Sequence, residues 1–190
     1  MSNAKILAFA GSTRAGSLNK LLLRAAVQGA EAAGASVTVI DLADFRIPLY
    51  DGDLEAESGL PENAEKLQNL FLEHNGLLIA APEYNSSITP VLKNTFDWVS
   101  RRDGAADLRC YAGKTAGLIA AGGGSGGMRG LVHVRQILSN IGVLVIPGQA
   151  TVSSAWTAFD NKGDLKDEGQ RNMVENIGAN LAKTLAKLHV

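Results

Sequence analysis

Five short apolar runs punctuate the chain: KILAFA (Lys5–Ala10), SVTVID (Ser36–Asp41), GLLIAA (Gly76–Ala81), TAGLIAA (Thr115–Ala121) and GVLVIP (Gly142–Pro147). Each is rich in Val, Ile, Leu and Ala and has almost no polar alternation. That is the pattern of parallel strands covered on both faces. Between them, helix-like segments cover Ser17–Ala33, Glu62–Glu73, Pro90–Ser100, Gly127–Ile141 and Asp167–Leu188. Strand and helix alternating through one short chain predict an α/β three-layer sandwich with right-handed crossovers.

With five strands, the flavodoxin-like parallel order 2-1-3-4-5 is favoured. At 190 residues and 46% hydrophobic content, residues 1–190 read as one domain with an ample core. There is no internal repeat and no low-complexity tract. The longest loops, Asp44–Pro61 and Ser153–Lys166, read as surface excursions.

Charge and cysteine content narrow the function classes. Eighteen basic and 19 acidic side chains leave a formal charge of −1, so no basic excess points to nucleic acid or an anionic membrane. Cys110 is the single cysteine and has no internal partner. His74, His133 and His189 lie far apart and form no metal-ligand spacing, so no metal is expected. The opening MSNAKILAFAG lacks a signal-peptide core, and no apolar run reaches membrane-spanning length. A cytoplasmic protein is the expectation.

In a doubly wound sheet, ligands bind beyond the carboxyl ends of the strands, where the strand order reverses. Three loops fall there. After strand one comes GSTRAGSLN (Gly11–Asn19), whose glycines, hydroxyls, Arg14 and following helix start suit a terminal phosphate. A helix simply capped by Ser17, with Arg14 solvated, fits the same residues. Walker A chemistry is excluded, because Ser17-Leu18 stand where Lys and Ser/Thr are required. The dinucleotide fingerprint also fails, since Thr13 replaces its second glycine. Asp41 reads as a polar strand end.

After strand three, APEYNSSITP (Ala81–Pro90) brings Pro82 to Asn85 to the same edge, with Thr89 and Pro90 starting the next helix. After strand four, AGGGSGG (Ala121–Gly127) either offers converging N–H groups or is a plain flexible loop. Arg101 and Arg102 follow the third helix and read as water-facing complements to its negative end. Phe96, Trp98 and Val99 read as packing.

The segments GSTRAGSLNK, PEYNSSITPVLKNTFDWVSR and GGGSGGMRGLVHVRQIL together resemble the signatures of the NAD(P)H-dependent FMN reductase family, which includes bacterial quinone, azo-dye and chromate reductases. The resemblance runs from the first strand to about Pro147. It implies a flavodoxin-like subunit holding FMN noncovalently and using NADPH or NADH as donor. On it, Ser12, Arg14, Ser17, Leu18 and Asn19 surround the FMN phosphate. Pro82, Glu83, Tyr84 and Asn85 line the ribityl and isoalloxazine, and Ala121, Gly122 and Gly123 approach the other side. The glycine-rich stretch departs from many relatives, which carry serine or larger residues there.

The resemblance further implies small-molecule electron acceptors and a homodimer or homotetramer, with the Asn94–Arg102 region at the subunit contact. Hydride transfer through a flavin requires no protein nucleophile, and the backbone of Glu83 is expected to matter more than its carboxylate. Donor and acceptor sharing one flavin face implies ping-pong kinetics. A flavodoxin-type electron carrier is the alternative, although such carriers are usually strongly acidic and this chain is not.

Overall fold

The computed structural model describes residues 4–188. Met1–Asn3, which begin the stretch read for a leader, and His189 lie outside the described residues. Strand β1 (Lys5–Ala10) feeds α1 (Leu18–Ala32), and β2 (Ser36–Ile40) follows. A 3-10 turn at Leu42–Asp44, then α2 (Gly52–Ser58) and α3 (Glu62–Glu73), lead into β3 (Gly76–Ala80). Hairpin β4 (Glu83–Tyr84) with β5 (Ser87–Ile88) precedes α4 (Pro90–Val99), and hairpin β6 (Arg101–Arg102) with β7 (Ala105–Ala106) follows it. Then come β8 (Thr115–Ala121), α5 (Met128–Asn140), β9 (Leu144–Val152), α6 (Ala155–Ala158) and α7 (Glu168–Leu188).

The main sheet has the order β2-β1-β3-β8-β9, every pair parallel. With the small hairpins set aside, this is the 2-1-3-4-5 order expected from the sequence. Side chains alternate across the pleat and divide the core in two. Ile6, Ala8 and Ala10 pack with Leu78 and Ile119 beneath α1 and α7. Leu7 and Phe9 pack with Leu77, Ile79 and Leu118 beneath α3, α4 and α5. Burial on both faces explains the missing polar alternation in β1, β3 and β8.

Helices α1 and α7 meet backbone to backbone. A Cβ on Gly178 would stand 1.9 Å from the Ala26 carbonyl oxygen, and one on Gly29 would stand 2.0 Å from that of Glu175. Only glycine at both positions permits this crossing, which fixes how α1 lies on the sheet.

Several segments differ from expectation. The last strand runs to Val152 and not only to Pro147, because a register shift opposite Ala116–Leu118 absorbs the proline and pairing resumes at Gln149. An edge strand tolerates this, since a missing N–H there breaks one ladder bond at most. Asp44–Pro61 is ordered, containing α2 and a belt over α4: the Pro48 carbonyl accepts from Trp98 Nε1 and from Asn94 Nδ2, each at 2.8 Å. The α4 residues expected at a subunit contact are therefore partly occupied by the chain's own loop. Arg101 does not face water as predicted. Its guanidinium binds the buried Glu55 carboxylate at 2.9 Å and lies over the Tyr50 ring, whereas Arg102 is half exposed.

Candidate functional site

The three loops of the carboxyl rim are tied together by side chains that sequence reasoning assigned to caps or ligands. Thr89 caps α4 as expected, accepting from Leu92 N, with Pro90 at the first helical position. Its hydroxyl also donates to the Gly11 carbonyl at 2.7 Å, fastening the loop after β1 to the start of α4. Asn19 is buried at the start of α1. Its Nδ2 donates to the Ala121 carbonyl at 2.8 Å, and its Oδ1 accepts from the Ala121 N–H at 2.9 Å. Both polar ends of this amide are thus committed to the tip of β8, so its role is to join two loops.

At the β1 end, Ser17 occupies the N-cap position of α1 but makes no side-chain capping bond. The reading of Ser17 as a hydroxyl cap is thereby corrected. The first N–H groups of a helix have no intrahelical partner, and the first turn of α1 carries no acidic residue. Ser12 and Ser17 are buried beside this turn, and Arg14 is exposed at its mouth. Such an arrangement attracts an anion.

The loop after β3 is a tight hairpin. Asn85 and Ser86 form its tip with φ of 50° and 66°, a left-handed pair that matches the twist of a two-residue turn. Asn85 sits at this tip, outside the cleft lining, while Pro82, Glu83 and Tyr84 face the cleft. The Glu83 carboxylate accepts from Gly130 N at 3.0 Å and lies 3.7 Å from Arg129. It caps α5 from outside the helix, where Gly127 offers no side chain of its own.

The glycine-rich loop serves packing and access at different positions. Gly126 and Gly127 have φ of 64° and 92°, and a Cβ on Gly127 would stand 2.8 Å from that of Ala120. The amides of Gly122 and Gly126 are spent on the carbonyls of Val152 and Gly123. The loop is therefore neither plainly flexible nor a full set of converging donors. Gly124 has open space around it, and Gly123 faces only the ring of Trp156. Trp156 was missed by sequence reading, because Ser153–Lys166 carries no strand or helix signal that places it at the rim.

These loops enclose a cleft of about 200 Å³ lined by eleven of the twelve residues expected from the sequence, together with Trp156. A larger cavity of about 510 Å³ lies elsewhere, between α1 and the β2 edge. There Asp41 pairs with Lys20 at 2.5 Å and caps the 3-10 turn, as a polar strand end does. Among the described residues no His, Cys, Asp and Glu side chains gather as for a metal ion, and no helix is long and apolar enough to cross a membrane. The ionisations most altered by burial, those of Cys110, Tyr111 and Lys114, belong to groups outside the cleft lining.

The model of the family described as NADPH-dependent FMN reductase matches residues 4–157. The chain belongs to this family. It is similar to an NAD(P)H-dependent FMN reductase of Pseudomonas aeruginosa, with 35% identity over 90% of this chain and 89% of the relative. It is also 33% identical to an NADPH:quinone oxidoreductase of Arabidopsis thaliana, over 91% of this chain and 87% of that one. Among solved structures, the flavoenzyme NAD(P)H:acceptor oxidoreductase FerB of Paracoccus denitrificans superposes with a TM-score of 0.79. That likeness spans 98% of each chain at 24% identity and speaks for the fold.

As a member of this family the protein is an oxidoreductase with FMN as cofactor and NAD(P)H as donor. The donor set at the rim suits FMN on its own chemistry. A phosphate fits a helix start free of acidic side chains, flanked by two buried hydroxyls and one guanidinium. The one carboxylate among the cleft-lining residues, that of Glu83, is held by α5.

Proposed function

We propose that the protein oxidises NAD(P)H and passes the electrons to quinone-like, azo or metal-oxyanion acceptors, donor and acceptor occupying the same place in turn in a ping-pong cycle. The observation that carries this reading is the convergence of the three tied loops on one cleft at the switch point of the sheet. FMN, when bound, supplies the hydride-accepting and electron-donating chemistry. In this reading residues 1–190 act as a single FMN-binding domain. The name of the Arabidopsis relative supports quinones as acceptors.

The chain's own residues hold and orient. Ser12, Arg14, Ser17 and the Leu18 amide bind the phosphate, and Asn19 keeps that cup in register with Ala121. Pro82, Glu83 and Tyr84, with Asn85 at the hairpin tip, line the ribityl and ring portion, and Ala121, Gly122 and Gly123 border its other side. Glu83 shapes the site through α5 and moves no proton.

A homodimer or homotetramer is part of this proposal. Met128 and Val132 stand one turn apart on α5 and are about half exposed, as is Tyr84. Helix α5 is joined to the cleft through Glu83, and this apolar strip is a better candidate for the subunit contact than α4, whose Asn94 and Trp98 are engaged within the chain. A cytoplasmic location accords with NAD(P)H as donor. The test is an anaerobic absorption spectrum of the purified protein with and without NADPH. A yellow protein bleached by NADPH alone supports the reductase. A yellow protein that bleaches only with a partner reductase favours the flavodoxin-type carrier, and a colourless protein that ignores FMN sinks both.

A further inference from the structure

Trp156 is out of character for a tryptophan in a folded protein. It is 69% exposed, while the other tryptophan, Trp98, is completely buried with its indole N–H on the Pro48 carbonyl. Its place decides its meaning: it lines the cleft, and ligand sites are lined mainly by apolar and aromatic side chains.

The backbone beneath it is firmly held. Ser154 N donates to the Gly123 carbonyl at 3.1 Å, Ala155 N to the Gly122 carbonyl at 3.0 Å, and Gly122 N to the Val152 carbonyl at 3.0 Å. Ala155 is buried completely, anchoring the turn from below. Ser154 holds a left-handed φ of 47°, an uncommon conformation for a side-chain-bearing residue, here held by its backbone bond to Gly123. The indole is thus presented by a rigid turn and is not the end of a loose loop. Its six-membered ring stands over Gly123, 3.8 Å from where a Cβ there would be.

The enclosed part of the cleft, about 200 Å³, falls short of the roughly 300–1,000 Å³ usual for small-molecule pockets. A nucleotide whose phosphate occupies the Ser12–Ser17 cup must extend its planar head past that enclosure, along the rim bordered by Tyr84 and Trp156. Both of these aromatic side chains line the cleft.

We propose that Trp156 is a positioning residue for the flavin: its indole packs against the ring system of FMN bound at this cleft and covers part of it. The inference rests on the FMN site argued above. Aromatic contact of this kind adds attraction beyond buried area and fixes the tilt of one ring against the other. It also limits how much of the ring remains open to donor and acceptor, which makes Trp156 a determinant of acceptor shape.

The test is titration of the 15N-labelled protein, following the two tryptophan indole N–H signals, with Trp156→Phe used for assignment. FMN and riboflavin are expected to shift the Trp156 signal and leave that of Trp98 in place, while inorganic phosphate moves neither. Trp156→Ala is expected to weaken FMN and riboflavin alike by about three- to tenfold, with an unchanged urea midpoint. A protein that retains FMN by its visible absorbance while the Trp156 signal stays still overturns the inference alone. So does a shift produced by phosphate and not by riboflavin, or undiminished affinity in Trp156→Ala. Failure to bind FMN in any form overturns the cofactor site and the inference together, and the absorbance distinguishes the two cases.

Discussion

Removing the Asn19 amide tests whether the rim is assembled by the tie between α1 and β8. In Asn19→Ala, the buried N–H and carbonyl of Ala121 lose partners at 2.9 and 2.8 Å. An unpaired buried group costs about 1–3 kcal/mol, and partial entry of water at the cleft relieves some of this, so about 2–4 kcal/mol is expected for the pair. For a chain of this size that is a fall of roughly 5–15 °C in melting temperature, measurable also as a lower urea midpoint. Asn19→Asp separates structure from binding. Its carboxylate still accepts from Ala121 N but cannot donate to the carbonyl, and it places negative charge at the start of α1. Stability should fall here too, because the buried carboxylate faces the Ala121 carbonyl with no proton to share, while affinity for FMN falls at least tenfold more than affinity for riboflavin, which carries no phosphate. Fluorescence titration of both flavins reads this directly. An Asn19→Ala protein melting within about 1 °C of the parent, or an Asn19→Asp protein that loses both flavins equally, would refute the reasoning.

Other consequences can be checked one at a time. Glu83→Gln keeps an oxygen acceptor for Gly130 N and should retain most NAD(P)H oxidation. Glu83→Ala should lose about 1 kcal/mol of stability from the start of α5. Near-complete loss of turnover in Glu83→Gln with FMN bound would instead assign the carboxylate a proton. Gly178→Ala drives a Cβ into the Ala26 carbonyl at the α1–α7 crossing and should cost about 3 kcal/mol or more in urea unfolding. Arg101→Met leaves the Glu55 carboxylate buried without its cation and should cost about 3–5 kcal/mol, with Arg101→Met/Glu55→Met recovering much of that loss. Burial lowers the Lys114 pKa, so between that value and the ordinary lysine value near ~10.4 the unfolded chain binds more protons. The contribution of Lys114 to stability therefore rises with pH across this window. Cys110 and Tyr111, whose pKa values burial raises, act in the opposite sense. Urea midpoints from pH 7 to 10 should show a smaller rise, or a steeper fall, in Lys114→Met than in the parent.

The sheet was legible because β1, β3 and β8 are buried on both faces and carry no competing polar signal. Boundaries failed where tertiary pairing overrode local chemistry, as when β9 passes Pro147 by a register shift. The site was legible as three loops, since glycine, proline and hydroxyl residues cluster only where the chain must turn or be approached. What each side chain does there was less so. Asn19 and Thr89 look like ordinary ligand and cap residues, and their long-range partners, Ala121 and Gly11, appear only once the loops are brought together. Arg101 was misread for the same reason, its Glu55 partner lying 46 residues upstream. Trp156 could have been suspected from its type alone, as a tryptophan within a polar loop.

The bonds from Thr89 to Gly11 and from Asn19 to Ala121 are made by the chain to itself. The three loops therefore share one mechanical frame, so that a change at the head of either helix is felt at all of them together.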